Sequence, residues 1–151
     1  MILATLMMLS LSAQPTQLFD DVVGVTLTEG DRLVRCPRGA ATIRVMRREF
    51  SSHICLKPGE DGSRGALDSY TSQFIEAGFV ETGREGTPDT IVSLCGEGSL
   101  VIIFRDLLAT TKRLGPGKTL DEYEAAAADA TIFIGKRADS TCAPNLSSEN
   151  R

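Results

Sequence analysis

"TIVSLCGEGSLVIIFR", residues Thr90 to Arg105, decides the fold. Two apolar, β-branched runs, Thr90–Cys95 and Ser99–Arg105, flank Gly96-Glu97-Gly98. A glycine in that position can take the left-handed conformation of a short bulged hairpin loop. Leu100 to Phe104 are apolar without alternation. Such a run is buried on both faces, so this strand is expected at the centre of a sheet.

Upstream of the hairpin, VVGVTLT (Val22–Thr28) reads as a strand, and the Glu29-Gly30-Asp31 turn leads into a short strand at Arg32–Cys36. Pro37-Arg38-Gly39 breaks the chain. In Ala41–Met46, Ile43 and Val45 alternate with Thr42 and Arg44, a period of two that predicts a strand. His53–Leu56 is a further strand, closed by Lys57-Pro58-Gly59, and the polar Gly59–Gly65 reads as a loop. From Ala66 the pattern changes. Leu67, Tyr70, Phe74, Ile75 and Phe79 recur at helical steps, with Gly78 as a C-terminal cap. Thr82–Pro88 is turn-rich. Downstream, helices are expected at Asp106–Leu114 and from Leu120 to about Ala130, then a strand at Thr131–Ile134. Strands with helices inserted predict a single α+β domain over residues 14–137, with an antiparallel or mixed sheet and two to three helices.

The ends of the chain carry a second kind of information. Residues 1–13, MILATLMMLSLSA, are uncharged and too short to span a bilayer as a helix. They match the apolar core of a secretory signal peptide, although no Lys or Arg follows Met1. Cys36, Cys55, Cys95 and Cys142 are an even set, as expected of a disulfide-stabilised exported protein, periplasmic or extracellular. Four cysteines allow three connectivities. Cys36–Cys55 with Cys95–Cys142 is preferred, because the second bond tethers the polar tail at 138–151. Asn145-Leu146-Ser147 fits a glycosylation acceptor.

Several familiar chemistries lack their parts. "LGPGKT" (Leu114–Thr119) resembles the end of a phosphate loop, but the leading glycine would fall on Lys112 and the preceding residues read as helix rather than strand. A helix start accounts for the whole stretch: Gly115 ends one helix, Pro116-Gly117 turns, and Thr119 with Glu122 makes a capping box. The lone histidine, His53, follows Ser51 and Ser52, yet adjacent strand residues point to opposite faces, and no G-x-S-x-G elbow occurs. The cysteines are too far apart for paired zinc ligands or a C-x-x-C exchange centre. No cofactor is expected, and a net charge of −4 makes no case for nucleic acid.

Charge placement is the remaining lead. Arg32, Arg35, Arg38, Arg44, Arg47 and Arg48 lie within one short segment, flanked upstream by Asp31. Arginine's planar fork suits carboxylates and phosphates, so Arg35, Arg44, Arg47 and Arg48 are the candidate contacts to an anionic surface or a protein partner. The expected role is therefore binding rather than catalysis. Two alternatives stay open: a hydrolase built on His53 or on scattered carboxylates, and an inhibitor that plugs a partner enzyme with Gly59–Gly65 or Thr82–Pro88.

Overall fold

The structure, a computed structural model, describes residues 14–86 and 88–142. The expected signal peptide at 1–13 and the expected glycosylation acceptor at Asn145 lie outside the described residues, as does everything after Cys142.

Among the described residues six strands form one antiparallel sheet: β1 (Arg32–Val34), β2 (Ser52–Lys57), β3 (Val80–Glu85), β4 (Ile91–Gly96), β5 (Ser99–Arg105) and β6 (Ile132–Ala138). Their order is β1-β2-β6-β5-β4-β3. The expected hairpin is β4–β5, with Gly96 paired to Ser99 and Gly98 in the left-handed region at φ 68°. β5 lies between β6 and β4 and contributes to both cores, as its continuous apolar run requires. Val101 and Ile103 face one side, while Leu100, Ile102 and Phe104 face the other.

The first face carries the larger core. It is covered by α2 (Gly62–Glu76), through Ala66, Leu67, Tyr70 and Phe74, and by an irregular strap at residues 16–28. The opposite face carries α1 (Ala41–Glu49), which drives Ile43 and Met46 against Cys55, Phe104 and Phe133. Two short helices, α3 (Leu108–Leu114) and α4 (Leu120–Ala126), connect β5 to β6. Both disulfides of the preferred pairing are present, Cys36–Cys55 and Cys95–Cys142. Thr119 caps α4 by accepting the Glu122 N–H at 3.2 Å, so "LGPGKT" is a helix start.

Four expectations need correction. Ala41–Met46 is helical, not a strand: the inward face is Ile43, Met46 and Phe50, at three- and four-residue steps, and Val45 points to solvent at 52% exposure. Val22–Thr28 is not a strand but part of the strap. Gly24 takes φ 91° and breaks the run; only Gln17 and Thr26 form a bridge, while Leu18, Phe19, Val22 and Val25 enter the core. The Gly59–Gly65 loop is shorter than expected, because α2 begins at Gly62. Thr82–Glu85 belongs to edge strand β3, whose solvent-facing side chains hide the apolar alternation that would have revealed it. With α1 added, the described residues hold four α-helices where two to three were expected.

Candidate anion-binding face

α1 positions three of the predicted arginines. Its inward positions bury Ile43 and leave Arg44, Arg47 and Arg48 on the exposed side. The close approach of helix to sheet depends on Gly135 of β6, where a Cβ would lie 2.8 Å from Phe50 Cβ. Arg35 and Arg38 stand exposed in the connection from β1 to α1, and Arg32 stands on β1 at the sheet edge. Cys36–Cys55 ties that connection to β2, so the arginine segment is anchored at its centre.

The electrostatic contrast with the rest of the molecule is sharp. Arg64 contacts Asp68, Asp89 and Glu124. Arg84 contacts Glu81, Asp68 and Asp89; burial works against its charge, but these acceptors outweigh it and raise its pKa. Arg105 is paired with Glu124, and Arg137 with Glu49 and Asp139. Arg113 donates to the Ala126 carbonyl. Among the described residues, none of Arg32, Arg35, Arg38, Arg44, Arg47 and Arg48 lies within ion-pair distance of an acid.

His53 is built into the base of this face. Its Nδ1–H donates to the Phe50 carbonyl at 3.0 Å, its Nε2 accepts from Arg47 Nε at 3.3 Å, and its ring stacks on Phe133. These contacts describe a packing and hydrogen-bonding residue that holds Arg47 in place. Ser52 sits beside it in β2, opposite Lys136 of β6, and takes no part in His53's hydrogen bonds. A shallow pocket of about 430 Å³ runs past Ser51, Ser52 and His53 toward Asp20 and Asp21 of the strap.

The sequence reading missed two polar clusters, and both hold the fold together. In one, fully buried Arg105 donates to both Glu124 oxygens (3.1 and 2.6 Å), to the Asp89 carbonyl (2.9 Å) and to Ser63 Oγ (3.2 Å). In the other, Tyr70 donates to Asp31 Oδ2 at 2.6 Å and accepts from the Thr28 N–H, locking the strap onto α2. Burial, followed by the hydrogen bond to Asp31, pushes the Tyr70 phenol up to about 12. A position such as Arg105, ending an apolar run, was the available signal: a charge there must be paired inside.

Among the described residues no cluster of His, Cys, Asp and Glu could hold a metal ion, and no helix is long and apolar enough to cross a membrane. No family model, no curated protein and no solved structure matches the chain.

Proposed function

We propose that this protein is an exported binding domain whose arginine-bearing face contacts an anionic partner. One observation carries the reading. The arginines between residues 32 and 48 are exposed without an acid of their own, and of them Arg47 has a side-chain partner in His53; the others in the described fold are paired with acids or, for Arg113, bonded to a carbonyl. An unpaired surface guanidinium gains nothing for folding, since even a paired one contributes only ~0–1 kcal/mol. A cluster of them raises the local positive potential and presents several planar forks to oxyanions. Two disulfides support the exported part, because such bonds persist in oxidising compartments.

Binding to immobilised poly-L-glutamate tests the reading. Wild-type protein is retained at low salt, and retention falls steeply as ionic strength approaches about 0.5 M, where the screening length is only a few ångströms. Arg44→Ala with Arg48→Ala weakens retention several-fold without altering thermal stability, since neither side chain has a folded partner. Retention that ignores both salt and these substitutions removes the proposal.

A further inference from the structure

The chain has one histidine, and its four cysteines are engaged in Cys36–Cys55 and Cys95–Cys142. Histidine is the side chain whose ordinary titration falls between pH 5 and 8. In that range the side-chain charge of this molecule therefore changes at His53. The residue lies at the base of the arginine face, where β2 meets α1 and β6. Its two ring nitrogens have different partners, and those partners fix where the proton of the neutral ring sits.

The Phe50 carbonyl can only accept, so Nδ1 carries the hydrogen of the neutral ring. Nε2 is left with a lone pair, and Arg47 Nε–H donates to it at 3.3 Å. That bond draws the root of the Arg47 guanidinium down toward the sheet. The surrounding charges offer the ring no competing partner. On α1, Arg44 and Arg48 flank Arg47, and Glu49 is taken by Arg137 of β6. On β6, Gly135 lies opposite His53 in the register, Phe133 stacks on the ring, and Lys136 pairs with Asp21 of the strap. Asp20 and Asp21 line the pocket that His53 borders, and Arg35 is exposed beside Cys36 on the β1 side. Among the described residues no carboxylate lies within ion-pair distance of the ring.

A proton added at Nε2 turns its lone pair into a donor. Two donors on two cations then face each other, and the contact with Arg47 changes from attractive to repulsive. The ring keeps its place, since the bond from Nδ1–H to the Phe50 carbonyl becomes charge-assisted and the stack on Phe133 needs no lone pair. Arg47 is the member that moves, because it is exposed and has no other side-chain partner among the described residues. We infer that His53 is a proton-operated latch on Arg47, which mild acid opens to present a further guanidinium to an anionic partner. The inference rests on the anionic-partner reading above and supplies its regulation. Once the latch is open, Arg44, Arg47 and Arg48 stand free together on one turn of α1, at three- and four-residue steps.

The test compares binding of the full chain to dextran sulfate, whose sulfate esters stay ionised throughout, at about pH 5.5 and 7.5 and one ionic strength. Wild type binds about threefold more tightly at the lower pH, the size of one added exposed ion pair. His53→Gln binds equally at both, and Arg47→Gln loses most of the pH effect. A second measurement needs no variant. With a single histidine, the ¹⁵N spectrum of wild type reports the ring directly: it shows the Nδ1–H tautomer at the higher pH, and an Arg47 Nε–H resonance whose coupling to the ring disappears at the lower. The Nε2–H tautomer at the higher pH overturns the latch. So does a pH effect that survives in His53→Gln, which assigns it to other groups. A full effect in Arg47→Gln overturns it as well, because the histidine's own charge then suffices. Binding that does not change with pH refutes this inference alone, whereas no binding to dextran sulfate or poly-L-glutamate at either pH removes the anionic-partner reading beneath it.

Discussion

Glu124→Gln, although nearly isosteric, should destabilise the fold. Arg105 is fully buried at the end of β5, and its guanidinium joins α4 through Glu124, α2 through Ser63 and the loop before β4 through Asp89. Removing one partner of a buried ion pair typically costs ~3–5 kcal/mol, because the remaining charge is left uncompensated in a poor solvent. Here Glu124 retains 23% side-chain exposure, so water partly screens the pair, and Arg105 keeps two neutral acceptors. Discounted for that screening, the expected loss is about 2–3 kcal/mol. At roughly 3 °C per kcal/mol for a chain of this size, Tm falls by about 6–9 °C. Replacing both partners together, Arg105→Met with Glu124→Leu, should recover most of the loss, since an apolar pair carries no desolvation penalty. Urea unfolding of the wild type, the single and the double variant measures all three. A single variant within about 0.5 kcal/mol of wild type, or a double variant worse than the single, refutes the view that an uncompensated buried charge sets the cost.

Three further outcomes follow from the same structure. The Tyr70 phenol is raised to about 12 in the folded protein against about 10 unfolded, so its contribution is complete below pH ~10 and is lost as pH climbs toward 12; urea midpoints at pH 9 and 11 should differ less for Tyr70→Phe than for wild type. Loss of Cys95–Cys142, with a sequence separation of 47, should destabilise by about 4 kcal/mol, against about 3 for Cys36–Cys55 with 19; equal losses in paired Cys→Ala variants would contradict the loop-length ordering. Gly135→Ala places a methyl 2.8 Å from Phe50 Cβ and should cost ~1–3 kcal/mol by lifting α1 from the sheet, seen as a lowered Tm.

Much of the sheet was legible because its signals are local. The β4–β5 hairpin announces itself in Gly96-Glu97-Gly98 between two apolar runs, and the central place of β5 follows from a strand with no polar side. α2 shows its i, i+3, i+4 stripe, and Thr119 carries its own cap. What stayed hidden depends on distant partners. Ile43 and Val45 fit a strand as well as a helix over six residues; only Met46 and Phe50, packing on a face built from Cys55 and Phe133, decide for the helix. The strap looks like a strand because Val22 and Val25 are apolar. Its backbone instead bonds to side chains of α2, with Gln73 accepting from Thr26 and Tyr70 accepting from Thr28, contacts more than forty residues away. The arginine cluster was visible as a run of letters. Its exposure and its lack of acid partners were not, because pairing is a property of the folded surface.

The two uses of arginine in this chain give the functional reading its force. Arg105 shows what the fold does with a guanidinium it needs: four hydrogen bonds to three neighbours and complete burial. Arg64 and Arg84 show the intermediate case, a shared set of carboxylates on α2, β3 and the loop before β4. Both patterns satisfy charge locally. Acids are abundant enough to have done the same for residues 32 to 48, since the chain has 20 acidic against 16 basic residues. They are placed elsewhere, and α1 brings a single acid, Glu49, which Arg137 takes. A like-charged cluster repels itself, and that cost recurs whether or not a partner is present. A chain with acids to spare that leaves these guanidinium groups unmatched on a rigid, disulfide-anchored face keeps them available. The matching negative charge is then expected from outside the chain, and the salt dependence of retention on poly-L-glutamate detects it.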